Sequence, residues 1–337
     1  MRNPVVLITG ANGELGNELI HRLAEKPNID IVALDLRPLD EHLVKRCRAA
    51  IVGDILDQAL LERLVSEFEI HAIYHLAALL STRAEYTPAA AHNVNVNGTL
   101  NLLQLANEQA RWHGNTVRFI FPSSIAVYGL PPGMKPGSRL QEHQYTQPTT
   151  MYGCNKLYCE QLGRYYSLHY QQLAHEQTTS GVDFRALRFP GLISAFTLPS
   201  GGTTDYAPEM MHAAAKGDPY HCFVPPEERL PFMVMADAIR AILALGDADH
   251  EKLSQRSYNV TSFTLSANEV RQLVLEHFPT AEIGFHVDPA RTGIVATWPE
   301  EVDDSAARRD WGWAPEFGAE SAFRDYLVPN IRKYYGG

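Results

Sequence analysis

The chain has 337 residues, 45% of them hydrophobic, and a formal net charge of -10. That supplies a large core for one or two domains, and an acidic balance without a basic cluster argues against nucleic acid or an anionic membrane as the main partner. Cys47, Cys154, Cys159 and Cys222 show no C-x-x-C spacing, which points away from disulfides or a metal and toward reduced thiols in the cytoplasm. No apolar run approaches membrane-spanning length and the N-terminus enters a strand at once, so neither a membrane span nor a signal peptide is expected.

Val5-Val6-Leu7-Ile8-Thr9 reads as a buried parallel strand between Pro4 and Gly10. It leads into Gly10-Ala11-Asn12-Gly13-Glu14-Leu15-Gly16, a G-x-x-G-x-x-G turn opening a helix through Leu19, Ile20 and Leu23. Glycines there permit a tight turn and let backbone N–H groups and a helix N-terminus face a pyrophosphate. The next strand, Ile31 to Asp35, ends in an acid at the spacing expected of a ribose-binding carboxylate, which favours NAD over NADP. Ile51 to Ile55 repeats the pattern, with Asp54 directed to the adenine end. A strand from Ile70 to Leu76 runs into Ala77-Ala78, small residues where a cofactor needs backbone clearance. Asn93 to Ala110 reads as a long helix with Asn95 early. A fifth strand, Val117 to Phe121, runs into Pro122-Ser123-Ser124, placing hydroxyls at a strand C-terminus, where open α/β sheets hold ligands.

Tyr152 and Lys156 stand four residues apart at the head of a helical segment extending to Tyr170. They share one helix face, and a fixed ammonium beside a phenol favours the phenolate, which makes the phenol a usable base. After Phe189-Pro190-Gly191 the texture changes to the polar, turn-rich stretch Pro199 to Tyr206. Ala236 to Leu245 reads as helix, Ser257 to Thr261 as a strand returning to the sheet, Asn268 to His277 as helix and Ile283 to Val287 as a short strand. Strands alternating with helices define an α/β chain with a doubly wound parallel (Rossmann) sheet. The expected dinucleotide-binding domain is 1–190, rejoined by 232–261, and 191–231 with 262–337 form a smaller C-terminal substrate-binding cap. His71, His75 and His92 read as structural or solvated.

Together these segments resemble the extended, sugar-epimerase-like branch of the short-chain dehydrogenase/reductases. The carriers are Gly10-x-x-Gly13-x-x-Gly16, Asp35, Asp54, Leu76-Ala77-Ala78, Asn95-x-Asn97-Gly98-Thr99, Ser124 to Gly129 and Tyr152-x-x-x-Lys156. The resemblance implies Tyr152 as acid/base, Lys156 holding the nicotinamide ribose, and Ser124 bonded to the reacting oxygen; Ser123 points the other way along a strand. It assigns NAD to Gly10, Asn12, Gly13, Glu14, Leu15 and Gly16, to Asp35, Asp54 and Ile55, to Leu76, Ala77, Ala78 and Asn95, and to Tyr152, Lys156 and Pro190.

Within that branch, Ala77 to Ser81, Gly201 to Ala207, Leu230 to Asp237, Ala296 to Pro299 and Trp311-Gly312-Trp313 resemble the NAD-dependent threonine 3-dehydrogenases. That likeness implies L-threonine as the small-molecule partner, met by Ser81, Thr82, Ser124, Tyr152, Thr203 and Thr204, and a homodimer formed through the two long helices. A plain surface turn is the alternative for Gly201 to Thr204. Arg83 and Ser200 depart from the pattern, and extra residues fall near Arg111 to Gly114 and His175 to Ser180. Two rival readings share the fold: a nucleotide-sugar epimerase or dehydratase, for which Arg229 and Arg291 are isolated phosphate candidates, and a non-catalytic NAD-sensing regulator.

Overall fold

Four largely buried runs form the strands β1 (Pro4–Thr9), β2 (Asp30–Asp35), β4 (Glu69–His75) and β5 (Val117–Ser124), and the half-exposed Ala49–Val52 forms β3. The computed structural model describes residues 4–135, 137–173, 181–198 and 202–336. With Val182–Phe189 and Ser257–Asn259, the five strands make a seven-stranded sheet. From one edge it runs Ser257–Asn259, Val182–Phe189, β5, β4, β1, β2, β3. The pairs β1–β2, β2–β3, β1–β4 and β4–β5 are parallel. Strand order therefore reverses between β1 and β4, the switch point at which doubly wound sheets bind ligands.

The chain divides into two compact units. The first contains 1–123, 155–187 and 242–257. Its core joins Leu7, Val32, Leu34 and Ile73 of the sheet to Leu102, Leu103 and Ala106 of the Gly98–His113 helix, and Phe119 and Phe184 stack across neighbouring strands. The long helix expected from Asn93 begins as a π-helical stretch, Asn93–Asn97, and continues as α-helix to His113. All four cysteines are unpaired, with Cys159 and Cys222 buried.

The second unit contains 124–154, 188–241 and 258–337. A three-stranded sheet, Phe263–Ser266, Arg229–Val234 and Gly191–Ile193, runs through it. Tyr206 packs its ring edge against Phe223 and Phe232 there. Some polar groups buried in this unit are answered by one another: Tyr128 donates to Asn259 at 2.7 Å and accepts from Arg188 at 3.0 Å, and the fully buried Asp237 accepts from Ser262, Glu316 and Phe317. A capping box of Ser266 and Glu269 starts the Ala267–His277 helix.

Candidate active site

The glycine-rich turn after β1 is tight for a physical reason. Gly10 has φ +67°, and a Cβ there would lie 2.6 Å from the Ala77 nitrogen, so the turn can pass the end of β4 only as glycine. At Gly16 a Cβ would meet the Ala11 carbonyl at 2.6 Å. Gly13 is exposed, caps the Glu14–Ala24 helix and brings no side chain to its first-turn N–H groups. These donors are the groups a pyrophosphate needs, and Glu14 and Leu15 stand half-buried in the same turn.

Asp35, at the end of β2, accepts from the backbone N–H of Asn12 at 3.0 Å and of Arg37 at 3.0 Å. The carboxylate is thus fixed beside the glycine turn. Asp54 accepts from Leu56 N–H at 2.9 Å and shapes the turn that buries Ile55. At the end of β4, Leu76, Ala77 and Ala78 are half-buried. Asn95 is buried, and its side chain bonds both backbone groups of Leu79, at 2.8 and 3.0 Å. Its amide therefore holds the chain just past Ala78. His75 is structural, as expected: it is buried between the hydroxyls of Thr9 at 2.8 Å and Thr99 at 3.0 Å. Burial and then the Lys156 charge lower its pKa to about 3. His71 bonds Glu69, and His92 is exposed.

Met151–Leu168 is one helix, so Tyr152 and Lys156 lie one turn apart on it. Lys156 is buried in the first unit, donates to the Pro122 carbonyl at 2.6 Å and lies 4.4 Å from the centre of the Phe121 ring. Burial lowers its pKa to about 8. Ser124 and Tyr152 belong to the second unit. The turn Ile125–Val127 opens with Ser124 Oγ accepting from Ala126 N–H at 3.1 Å, and Gly153 presses against the Ala126 carbonyl so closely that a Cβ would clash. That approach brings the Ser124 turn and the Tyr152 end of the helix together. One expectation is corrected. Burial pushes the Tyr152 phenol above its ordinary pKa, in place of the lowering expected from the ammonium.

Ser81 heads the short Ser81–Tyr86 helix, with Thr82 half-buried beside it and Arg83 exposed. In the second unit Thr203 is buried, and Thr204 lies near Gly191, the residue after buried Pro190. Gly202 donates to Asp205, and its carbonyl accepts from Arg291 at 3.0 Å while that guanidinium lies over the Phe223 ring. Gly202 is thus bonded through both its N–H and its carbonyl. Pro199, Ser200 and Gly201 lie outside the described residues, as does the extra segment His175 to Ser180. One candidate escaped sequence reasoning: buried Glu160, whose carboxyl group accepts from Ser123. The signal for Glu160 was its place four residues after Lys156, on the same helix face.

A glycine cradle at the switch point, an acid at the end of β2 and a Tyr/Lys helix define a dinucleotide-dependent enzyme. Residues 6–261 match the NAD dependent epimerase/dehydratase family, and the chain belongs to it. It is 39% identical over 332 residues to the mitochondrial L-threonine 3-dehydrogenase of Bos taurus, covering 98% of this chain and 82% of that protein. Among solved structures it is similar to the holo form of a GalE-like L-threonine dehydrogenase from Cupriavidus necator, at 37% identity and TM-score 0.84 over 97% of this chain and 99% of that one. It is also similar to a monomeric L-threonine 3-dehydrogenase from a metagenome, at 36% identity and TM-score 0.84 over 98% and 99% of the two chains.

Proposed function

We propose that this protein oxidises the β-hydroxyl of L-threonine to 2-amino-3-oxobutanoate with NAD as acceptor. The observation that carries the reading is its full-length likeness to L-threonine 3-dehydrogenases, joined to Ser124, Tyr152 and Lys156, the residues the sequence pattern assigns to the reaction. The glycine turn, the uncapped helix N-terminus at Gly13 and the fixed Asp35 carboxylate fit the pyrophosphate and ribose of NAD. NAD bound there would supply the acceptor for the hydride that leaves Cβ.

The chain's own groups supply the rest. Tyr152 takes the hydroxyl proton, and Ser124 donates to the substrate oxygen to fix its direction. Lys156 contributes the positive charge that a desolvated phenol needs in order to ionise, because burial alone holds the Tyr152 proton on. By the same likeness, Ser81, Thr82, Thr203 and Thr204 are the hydroxyls assigned to the amino acid. Arg291, bonded to the Gly202 carbonyl, steadies the turn before Thr203 and Thr204.

The same reading includes a cytoplasmic homodimer. Four unpaired cysteines support a reducing compartment. No helix among the described residues is long and apolar enough to cross a membrane. Tyr158, Tyr165 and Leu168 form an exposed apolar stripe on the Met151–Leu168 helix, and Trp112 is exposed on the Gly98–His113 helix. A second copy would cover such faces. The test of function is NADH formation with L-threonine, set against L-serine and L-allo-threonine. Turnover of threonine well above the other two supports the reading; turnover of a nucleotide sugar instead would replace it.

A further inference from the structure

Two bonds in the first unit tie the end of β5 to the Met151–Leu168 helix. Lys156 Nζ donates to the Pro122 carbonyl at 2.6 Å, and the neighbouring Ser123 Oγ donates to the Glu160 carboxyl group. All three side chains are sequestered: Ser123 is 3% exposed, Lys156 5% and Glu160 1%. Lys156 and Glu160 are four residues apart, so they face the same side of the helix one turn apart. Tyr152 is two turns away from Glu160, and the reaction as derived gives Glu160 no role. A carboxyl group held in so dry a place is costly unless its charge is answered.

Groups acting on Lys156 include Cys159 and Glu160 on its own helix, His75 from β4, and the Phe121 ring and the Pro122 carbonyl from β5. Burial keeps the His75 imidazole neutral at physiological pH, and it raises the Cys159 thiol to about 11. Of these, Glu160 alone is a carboxylic acid. Burial works against the Lys156 charge, and Glu160 works for it.

We propose that Glu160, oriented by the Ser123 hydroxyl, is a positioning residue that keeps the buried Lys156 ammonium charged and aimed at the cofactor ribose and Tyr152. The proposal rests on the function above only insofar as Lys156 serves that reaction. Its direct readout needs neither substrate nor cofactor.

The experiment follows the titration of the Lys156 side chain by ¹⁵N NMR in the cofactor-free protein, in wild type, Glu160→Gln and Ser123→Ala. Glutamine keeps the shape and an oxygen for Ser123 while removing the charge. The Lys156 titration should fall by roughly one pH unit in Glu160→Gln, the effect of one near charge. It should fall by less in Ser123→Ala, which keeps every charge but loosens the carboxylate. The alkaline limb of the kcat profile with threonine and NAD should move down with it, while KM for threonine holds. An unchanged Lys156 titration in a folded Glu160→Gln protein overturns the proposal and leaves Glu160 a packing residue. If Glu160→Gln does not fold, an unchanged titration in Ser123→Ala overturns it equally. A shifted titration in a protein that does not oxidise threonine supports the Glu160–Lys156 coupling and refutes the threonine reading, so the two failures are distinguishable.

Discussion

Gly153 sits against the carbonyl of Ala126 with no space for a side chain between them. The contact is backbone on backbone, so it sets how far Tyr152, one residue earlier, stands from the turn that begins at Ser124. A methyl group at 153 cannot be absorbed by a side-chain rotation. It must move the helix end or the turn.

Gly153→Ala should therefore lower kcat by about 10²-fold, the usual cost of displacing reacting groups by roughly 1 Å, although alanine is the better helix former. The glycine turn at Gly10 to Gly16 is untouched by this change, so Kd for NAD should change by less than kcat. Steady-state kinetics beside a fluorescence titration with NADH checks both. A variant with full kcat would show that the approach does not set the Tyr152 position.

Cofactor choice should rest on Asp35. Its carboxylate is already held by Asn12 and Arg37 N–H groups and would repel a 2′-phosphate. NAD should exceed NADP in kcat/KM by more than about tenfold, equivalent to ~1.4 kcal/mol. Asp35→Ala should narrow the ratio chiefly by losing activity with NAD. Equal kcat/KM for the two cofactors in wild type would assign the discrimination elsewhere, with Arg37 the first residue to examine.

His75 should make the fold sensitive to acid. The unfolded imidazole binds a proton below about pH 6.5, whereas the buried one stays neutral down to about 3. Between those values the unfolded state carries the extra proton, so stability falls as pH falls, by up to about 1.4 kcal/mol per pH unit from this group. Denaturant melts of wild type and His75→Gln from pH 4 to 7 should converge toward the acid end, because the variant lacks that slope. Parallel curves would contradict the assignment.

Much of this was readable from sequence because the chemistry is local. The glycine turn, Asp35 and the Tyr152/Lys156 pair are each contained within one short segment, and β1 to β5 are apolar runs long enough to stand out. Other features depend on partners distant in the chain. Gly191–Ile193 becomes a strand by pairing with Phe232 to Val234, and Phe263–Ser266 by pairing with Arg229 to Phe232; neither has a periodicity of its own. The direction of Ser123 was legible from strand alternation, but its bond to Glu160 was not, since it joins residues 37 positions apart. The rise in the Tyr152 pKa was equally hidden, because desolvation is set by the packed site rather than by the neighbour four residues on.

Proton transfer through Tyr152 is the central claim, and Tyr152→Phe tests it most directly. The variant keeps the ring and loses only the hydroxyl, so NADH should bind about as well as to wild type. The measurement is threonine-dependent NADH formation under saturating NAD, wild type against variant. The account predicts clear turnover by wild type and a kcat reduced by at least 10²-fold in Tyr152→Phe, within the range for loss of a general base. A Phe variant retaining more than about a tenth of wild-type kcat would contradict it.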